Sequence, residues 1–562
     1  MSHFREALRA SSPREENRQW VFVPYDQLTD SVGPLSREPA HSLGIVVVEC
    51  PDKAARRPYH QQKLALLLTN LRHFSLEQAR RGVAVRHVVA SSYAAALSPL
   101  AEELGGLSVM RPAERELRAE LAPLVDAGKL TLLPHDGWLT TAEEFRESQA
   151  GPPWRMDTFY RYVRRARGLL MQGGKPLGGR FSFDGENREP WPGDPPAPTL
   201  PTFVVDEVTE EVCGFVRTHL GHHPGTLSPS RLPASREDAA QVWRWALKEC
   251  LPTFGPFEDA MSTRSRSLFH TQISSLLNLS RLSAHEVVAD VLKAPIALPS
   301  KEGFVRQILG WREYMHHVHD ATDGFRVLAG VPQPEAAGPG DGGYARWRGE
   351  PWKGAPERVS GGDGGSLASY LGASRGVPPA YWGAPSGLHC LDNVVAGVWA
   401  DGYSHHITRL MVLANIAMLL DLSPRELTDW FWVAYVDAYD WVVEPNVHAM
   451  GSFGVGDLLT TKPYVAGSAY IDRQSDFCAS CRFDPKTTCP LPSLYWAYLG
   501  RHRDALTAIQ RMRLPMAGEA RRTPVQREHD EATFTHVSAT LAEGRELHPP
   551  STSPSKKRRA LP

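Results

Sequence analysis

The sequence predicts an α/β N-terminal domain with a doubly wound parallel sheet, followed by a large all-α C-terminal domain. Three observations lead there. Short β-branched runs at 20–24, 44–49 (GIVVVE) and 83–89 (VAVRHVV) alternate with a segment whose Leu64, Leu67, Leu68, Leu71 and Phe74 recur at helical spacing. That βαβ rhythm is the signature of buried parallel strands, whose ligand crevice lies at their carboxyl ends. From 236 to about 513 helical patterns dominate, as in DAAQVWRWALKECL, SAHEVVADVLKA and ITRLMVLANIAMLLDL. Finally, 562 residues that are 42% hydrophobic and 22% charged can bury the cores of two or more domains.

Taken in order, residues 1–19 read as a polar leader and 20–150 as the α/β domain. Residues 151–235, rich in Pro, Gly, Trp and Arg with no long periodic element after Gln172, read as a connector. The helical domain is expected over 236–520, with Gly/Pro-rich surface loops at 332–343 and 360–365, and 521–562 as a disordered tail. The longest apolar stretch, 410–420, is broken by Asn415 and falls short of the ~20 residues a membrane span needs. No apolar secretory segment opens the chain, so a soluble, cytoplasmic monomer is expected. Lys plus Arg (62) and Asp plus Glu (63) nearly cancel, so any nucleic-acid contact needs a local basic patch. Seven cysteines without an export signal argue against a disulfide framework.

Cys478, Cys481 and Cys489 form a C-x2-C-x7-C pattern with proline after the last, and Cys390 (LHCLDN) is the obvious fourth ligand. Four thiolates suit structural zinc or an iron–sulfur cluster; a remote cysteine and the C-P ending lean toward [4Fe–4S], and unligated thiols remain open. Cys50, Cys213 and Cys250 read as apolar filler.

FVRQILGWREY, YSHHITRLMV, VDAYDWVVEPNV and TKPYVAGSAYIDRQSDFCASC together resemble the iron–sulfur bacterial cryptochromes and photolyases. YDQLTDSVGPL, HQQKLALLLTNLRHF, DTFYRYVRRARGLLM and FSFDGENR extend the resemblance across 20–503. It implies an antenna domain, then a helical domain holding FAD and a [4Fe–4S] cluster on Cys390, Cys478, Cys481 and Cys489. It also implies blue-light repair of the pyrimidine (6-4) pyrimidone photoproduct in UV-damaged DNA.

On the same resemblance His405 and His406 match an HHxxR motif, one of them the proton donor that repair needs, although Leu410 stands where some relatives carry a further histidine. Tyr464 faces the lesion pocket in this reading. Arg409 and Asp437 match a pair beside the flavin ring, with His270, Thr271 and Ser274 at its phosphates and Gln307, Arg312 and Asn446 nearby. Trp382, Trp430 and Tyr470 match electron-relay positions, while Phe431 stands where tyrosine occurs elsewhere and is harder to oxidise.

Asp26, Gln27 and Glu49 are placed at a 6,7-dimethyl-8-ribityllumazine antenna, a deazaflavin, a folate or no antenna being the alternatives. Asp184 and Glu186 are placed near DNA or Mg²⁺, against a plain loop turn. Arg161, Arg164, Arg165, Arg264 and Arg266 are phosphate-contact candidates, against a solvated basic face. A blue-light photoreceptor without repair activity is the alternative function, and a light-independent iron–sulfur DNA-binding protein a third that leaves the flavin segments unexplained.

Overall fold

The computed structural model describes residues 2–328, 346–347, 350–352 and 364–550. Nearly all of the two expected loops, and the terminal segment 551–562, lie outside the described residues.

The N-terminal region is built on five parallel strands, β1 (Gln19–Phe22), β2 (Leu43–Glu49), β3 (Ala84–Val89), β4 (Leu107–Met110) and β5 (Leu130–Leu133), in the order β3-β2-β1-β4-β5. Every residue of β2 is buried, which explains its continuous β-branched run. Gly44 is required there because a Cβ would stand 2.5 Å from the Trp20 ring. The helix Gln61–Arg81 begins where the His60 side chain accepts from the Gln62 N–H and ends at Gly82, whose φ of 98° favours glycine. Strand order reverses between β1 and β4, so a crevice opens at the carboxyl ends beside that switch point.

Beyond the sheet the chain is helical. Three stretches with i→i+5 pairing, Arg306–Arg312, Thr408–Ala414 and Glu444–Gly451, contribute to one central cavity. Such widened turns concentrate at functional sites. No described helix is long and apolar enough to cross a membrane.

Three expected boundaries need correction. The leader contains the helix His3–Ser11, whose Phe4 and Leu8 enter the core. The connector contains Glu207–His219, capped by Asp206, with Val208, Val212 and Val216 buried on one face. The expected tail forms the helix Pro524–Ala542, opened by a Thr523/Gln526 capping box. Phe534, Val537 and Leu541 form its narrow buried stripe, and the Arg501 guanidinium stacks 3.4 Å from the Phe534 ring. Its polar composition hid this stripe, because three apolar residues per five turns suffice once a partner surface exists.

Candidate functional site

The central cavity, about 310 Å³, is lined by His270, Thr271, Ser274, Gln307, Arg312, His405, His406, Arg409, Asp437 and Asn446. It brings together ten of the eleven residues expected at the cofactor and the proton donor, Tyr464 being the exception. A second cavity of about 550 Å³ shares Gln272, Ser274 and Tyr403 with it. Both volumes fall in the range of ligand sites. Gln272, at the junction, holds a left-handed backbone (φ 54°) that a non-glycine residue adopts only under constraint.

Arg409 carries the best-defined polar contact. Its guanidinium donates to both carboxylate oxygens of Asp437 at 3.1 and 2.9 Å, and its Nε donates to the Ser404 carbonyl at 2.7 Å. Burial would raise the Asp437 carboxyl, but Arg409 and the Ser274 hydroxyl, donating at 2.6 Å, hold it below the ordinary range. A fixed, charged pair of this kind orients a polar ring edge. Also in the lining, Gln307 donates to Glu258 at 2.7 Å, Asn446 donates to the Val442 carbonyl at 2.8 Å, and Arg312 stacks 4.3 Å from the Trp138 ring.

His270 and His405 stack with centroids 4.4 Å apart and planes 5° apart, and His406 meets His270 edge-on at 5.3 Å. His270 Nε2, His405 Nδ1 and Arg312 Nε are buried without a hydrogen-bond partner. Unsatisfied buried polar atoms are costly, so three around one cavity mark a place where a polar ligand belongs. Burial first, and the neighbouring histidine charges second, push His270 and His405 well below the ordinary imidazole value. Both are neutral at neutral pH. The His406 side chain is 42% exposed.

An aromatic run leads away from the cavity. Tyr435 and Phe431, both in the lining, stack at 5.2 Å, and each meets Trp430, at 6.1 and 5.1 Å. Trp430 meets Trp399 at 6.0 Å and Trp399 stacks on Trp382 at 5.5 Å. Trp382 and Trp430 are thus joined through Trp399, which the sequence reading did not single out. The indoles of Trp399 and Trp430 both donate to the Tyr381 carbonyl at 2.9 Å, which fixes their relative placement.

Cys390, Cys478, Cys481 and Cys489 converge on one small apolar cavity with Leu388, Ile471, Phe477 and Phe483. Burial, then the other three cysteines, raises the Cys390 thiol well above its ordinary value, and Cys478 and Cys489 are pushed up to about 12, by burial first. Thiols raised in this way ionise at neutral pH when a compensating cation is bound, and four of them surround one cavity. The donor set therefore fits a metal centre.

Residues 21–232 match the family model for deoxyribodipyrimidine photo-lyase-related proteins. Over 523 residues, 90% of this chain and 96% of the relative, the sequence is 31% identical to a (6-4) photolyase of Agrobacterium fabrum. The chain belongs to the bacterial photolyase/cryptochrome family. The fold agrees: a class III photolyase from Agrobacterium tumefaciens superposes with a TM-score of 0.53 at 14% identity, covering 94% of this chain and 99% of that one. A Synechocystis cryptochrome gives 0.54 at 12% identity, covering 94% and 98%. Membership in this family implies an FAD, and the paired cavities with their unpartnered nitrogens fit one.

Other residues expected from the photolyase resemblance are placed elsewhere. Tyr464 is half-buried against the helical core and does not line the cavity. Tyr470 stands apart from the aromatic run and donates its hydroxyl to Asp259 at 3.1 Å. Asp184 pairs with Arg306 and Arg188, and Glu186 with Arg180. Arg164 is buried and donates to the carbonyls of Leu169, Leu170 and Phe181, so it is structural. Arg264 stacks on Trp191, and Arg266 pairs with Asp401 at 2.8 Å.

The expected antenna residues have protein partners of their own, and Glu49 lines the crevice at the strand ends. Asp26 accepts from the Ala113 N–H, Gln27 donates to the Met110 carbonyl, and Glu49 binds Arg72 and His87. The crevice at the strand ends retains about 80 Å³, because Tyr25, Tyr93, Tyr439 and Lys53 fill it. That is below the roughly 300 Å³ at which ligand pockets begin.

Proposed function

We propose that the chain is a light-driven DNA repair enzyme acting on the pyrimidine (6-4) pyrimidone photoproduct, with a histidine as proton donor. The observation that supports it is the convergence of His405, His406 and the Arg409–Asp437 pair on one ligand-sized cavity. The long sequence similarity to a protein named (6-4) photolyase adds to it.

FAD, when bound, supplies the light-absorbing electron donor. Arg409 and Asp437 would hold its polar ring edge, Gln307, Arg312 and Asn446 the facing side, and His270, Thr271 and Ser274 the neck between the cavities. The rings of Trp382, Trp399, Trp430 and Tyr435 give a contact path toward the cavity wall. A lesion flipped out of the duplex enters from the open side, where His406 is exposed.

The two histidines have different tasks. His405 is 3% exposed and neutral, so it can offer only a hydrogen bond. His406 reaches solvent, can carry a proton in, and is the general acid in this reading. Cys390, Cys478, Cys481 and Cys489 would hold a [4Fe–4S] cluster, which supplies a covalent tie between the helix His389–Asp401 and a segment far along the chain. Iron and acid-labile sulfide analysis tests that assignment, with zinc as the result that overturns it.

The function is tested by blue-light turnover of an oligonucleotide carrying one (6-4) lesion, with reduced protein and a dark control. Restored pyrimidines only in light are expected. No repair by protein that photoreduces its flavin would instead establish the photoreceptor reading.

A further inference from the structure

The end of the described chain ties together two segments that carry cysteines of the four-cysteine cavity. Beyond the helix Pro524–Ala542 the backbone turns at Gly544 (φ 68°), and the Arg545 N–H donates back to the Thr540 carbonyl at 2.9 Å. Residues 545–548 then form a strap with contacts on both sides. On one side the Leu547 N–H donates to the Ser386 carbonyl at 2.9 Å, in the turn that precedes Cys390. Glycine is required at 387 for this approach, because a Cβ there would stand 2.3 Å from the Leu547 carbonyl oxygen. The turn is itself fixed: Asp392, in the first turn of the helix His389–Asp401, accepts from the Ser386 hydroxyl at 2.6 Å and from the Gly387 N–H at 3.2 Å. On the other side Arg482, which directly follows Cys481, donates to the Leu547 carbonyl at 3.3 Å, to Glu546 at 2.5 Å and to His548 Nδ1 at 3.0 Å.

We propose that residues 545–548 are a latch on the four-cysteine metal centre, holding the Cys390 segment against the Cys481 segment and slowing escape of the metal. The proposal rests on the reading of Cys390, Cys478, Cys481 and Cys489 as metal ligands.

A metal held by ligands from two segments leaves in stages, and separation of the segments is the stage the protein can resist. Cys390 is buried on a helix of 13 residues, whereas Cys478, Cys481 and Cys489 are half-buried. Cys478 sits on the four-residue helix Phe477–Ser480, too short to be stable by itself. This segment therefore depends on what it is packed and bonded against. A net hydrogen bond shifts an opening equilibrium by about two- to tenfold, and the strap places such bonds on both segments at once. The Arg482 and Glu546 side chains are 39% and 32% exposed, so their ion pair adds little. The weight falls on Leu547, which is 3% exposed and bonded through its N–H to one segment and through its carbonyl to the other.

The test compares the full-length holoprotein with a chain ended after Gly544, a chain ended after Pro550 that keeps the strap, and Arg482→Ala. Metal release in the dark into 4-(2-pyridylazo)resorcinol, which reports iron and zinc alike, is followed beside flavin release read by fluorescence. Ending the chain after Gly544 should speed metal release by about tenfold or more with flavin release unchanged, and ending it after Pro550 should leave both at the wild-type rate. Arg482→Ala should speed metal release by about two- to fivefold. It carries the test if the shorter chain does not fold, an unmoved rate then overturning the proposal. Equal metal release from the two shortened chains overturns it, as does a chain ended after Gly544 that loses flavin as fast as metal. A wild-type protein that holds neither iron nor zinc overturns the metal-centre reading instead. Iodoacetamide labelling of Cys390 and Cys481, read peptide by peptide, then judges the latch: faster labelling in the chain ended after Gly544 is expected, and equal labelling overturns it.

Discussion

The central cavity and the crevice at the ends of the strands are both lined by aromatic and charged side chains, yet they are finished differently. In the central cavity His270, His405 and Arg312 each keep a buried nitrogen unpartnered. In the crevice Glu49 binds Arg72 and His87, Lys53 reaches Glu114 and the Tyr25 hydroxyl, and Lys63 donates to two backbone carbonyls. Tyr25 stacks on Tyr439 at 6.0 Å and fills the centre. A protein tolerates unpaired buried groups where a ligand completes them; where its own side chains complete them, the same composition is structural.

The comparison can be broken most directly at His406. His406→Ala should lower light-dependent repair by about 10²–10⁴-fold while bound flavin is retained, as measured by lesion chromatography and visible absorbance. Retained repair would move the acid elsewhere. Asp437→Asn leaves the Arg409 guanidinium without its counter-charge, which should cost about 3–5 kcal/mol in denaturant unfolding and reduce the FAD that co-purifies.

The crevice gives a pH-dependent test. Burial would raise Glu49, but His87 and Arg72 lower it to about 2 in the folded state. A depressed carboxyl stabilises the fold above its unfolded value, and that stability is lost as pH falls toward the folded value. Glu49 should therefore contribute about 3 kcal/mol at neutral pH that disappears between about pH 4.5 and about pH 2. Glu49→Gln should lower stability near neutrality and flatten the acid limb, as read by urea unfolding at several pH values. The smallest expected effect is a null one: lumazine added to the purified protein should leave its melting temperature unchanged, and extraction should release FAD alone. A shift, or a released lumazine, would show that the crevice opens.

Much of the site was legible in the chain. The resemblance pointed to the HHITR segment and Asp437, and spacing pointed to the cysteines; the structure gathers the first set in the central cavity and the second in a separate small one. The place of Trp399 and Tyr435 in the aromatic run was not legible, because a lone aromatic reads as core until its neighbours are known. The strap contacts were invisible for the same reason: Arg482 lies far in sequence from its partners Glu546 and Leu547. Tyr464, by contrast, lies outside the lining of the central cavity.

Local pattern by itself determined the parallel sheet, the helical domain and the spaced cysteines, since periodicity and spacing are properties of neighbouring residues, while the resemblance to a family supplied the reactive histidines and the Arg409–Asp437 pair. Tertiary structure alone decided which histidine is neutral, which tryptophan joins the run, and that the expected tail folds as a helix. It also decided which crevice is filled. Burial, ring contact and counter-charge are set by residues distant in the chain, and no local signal encodes them.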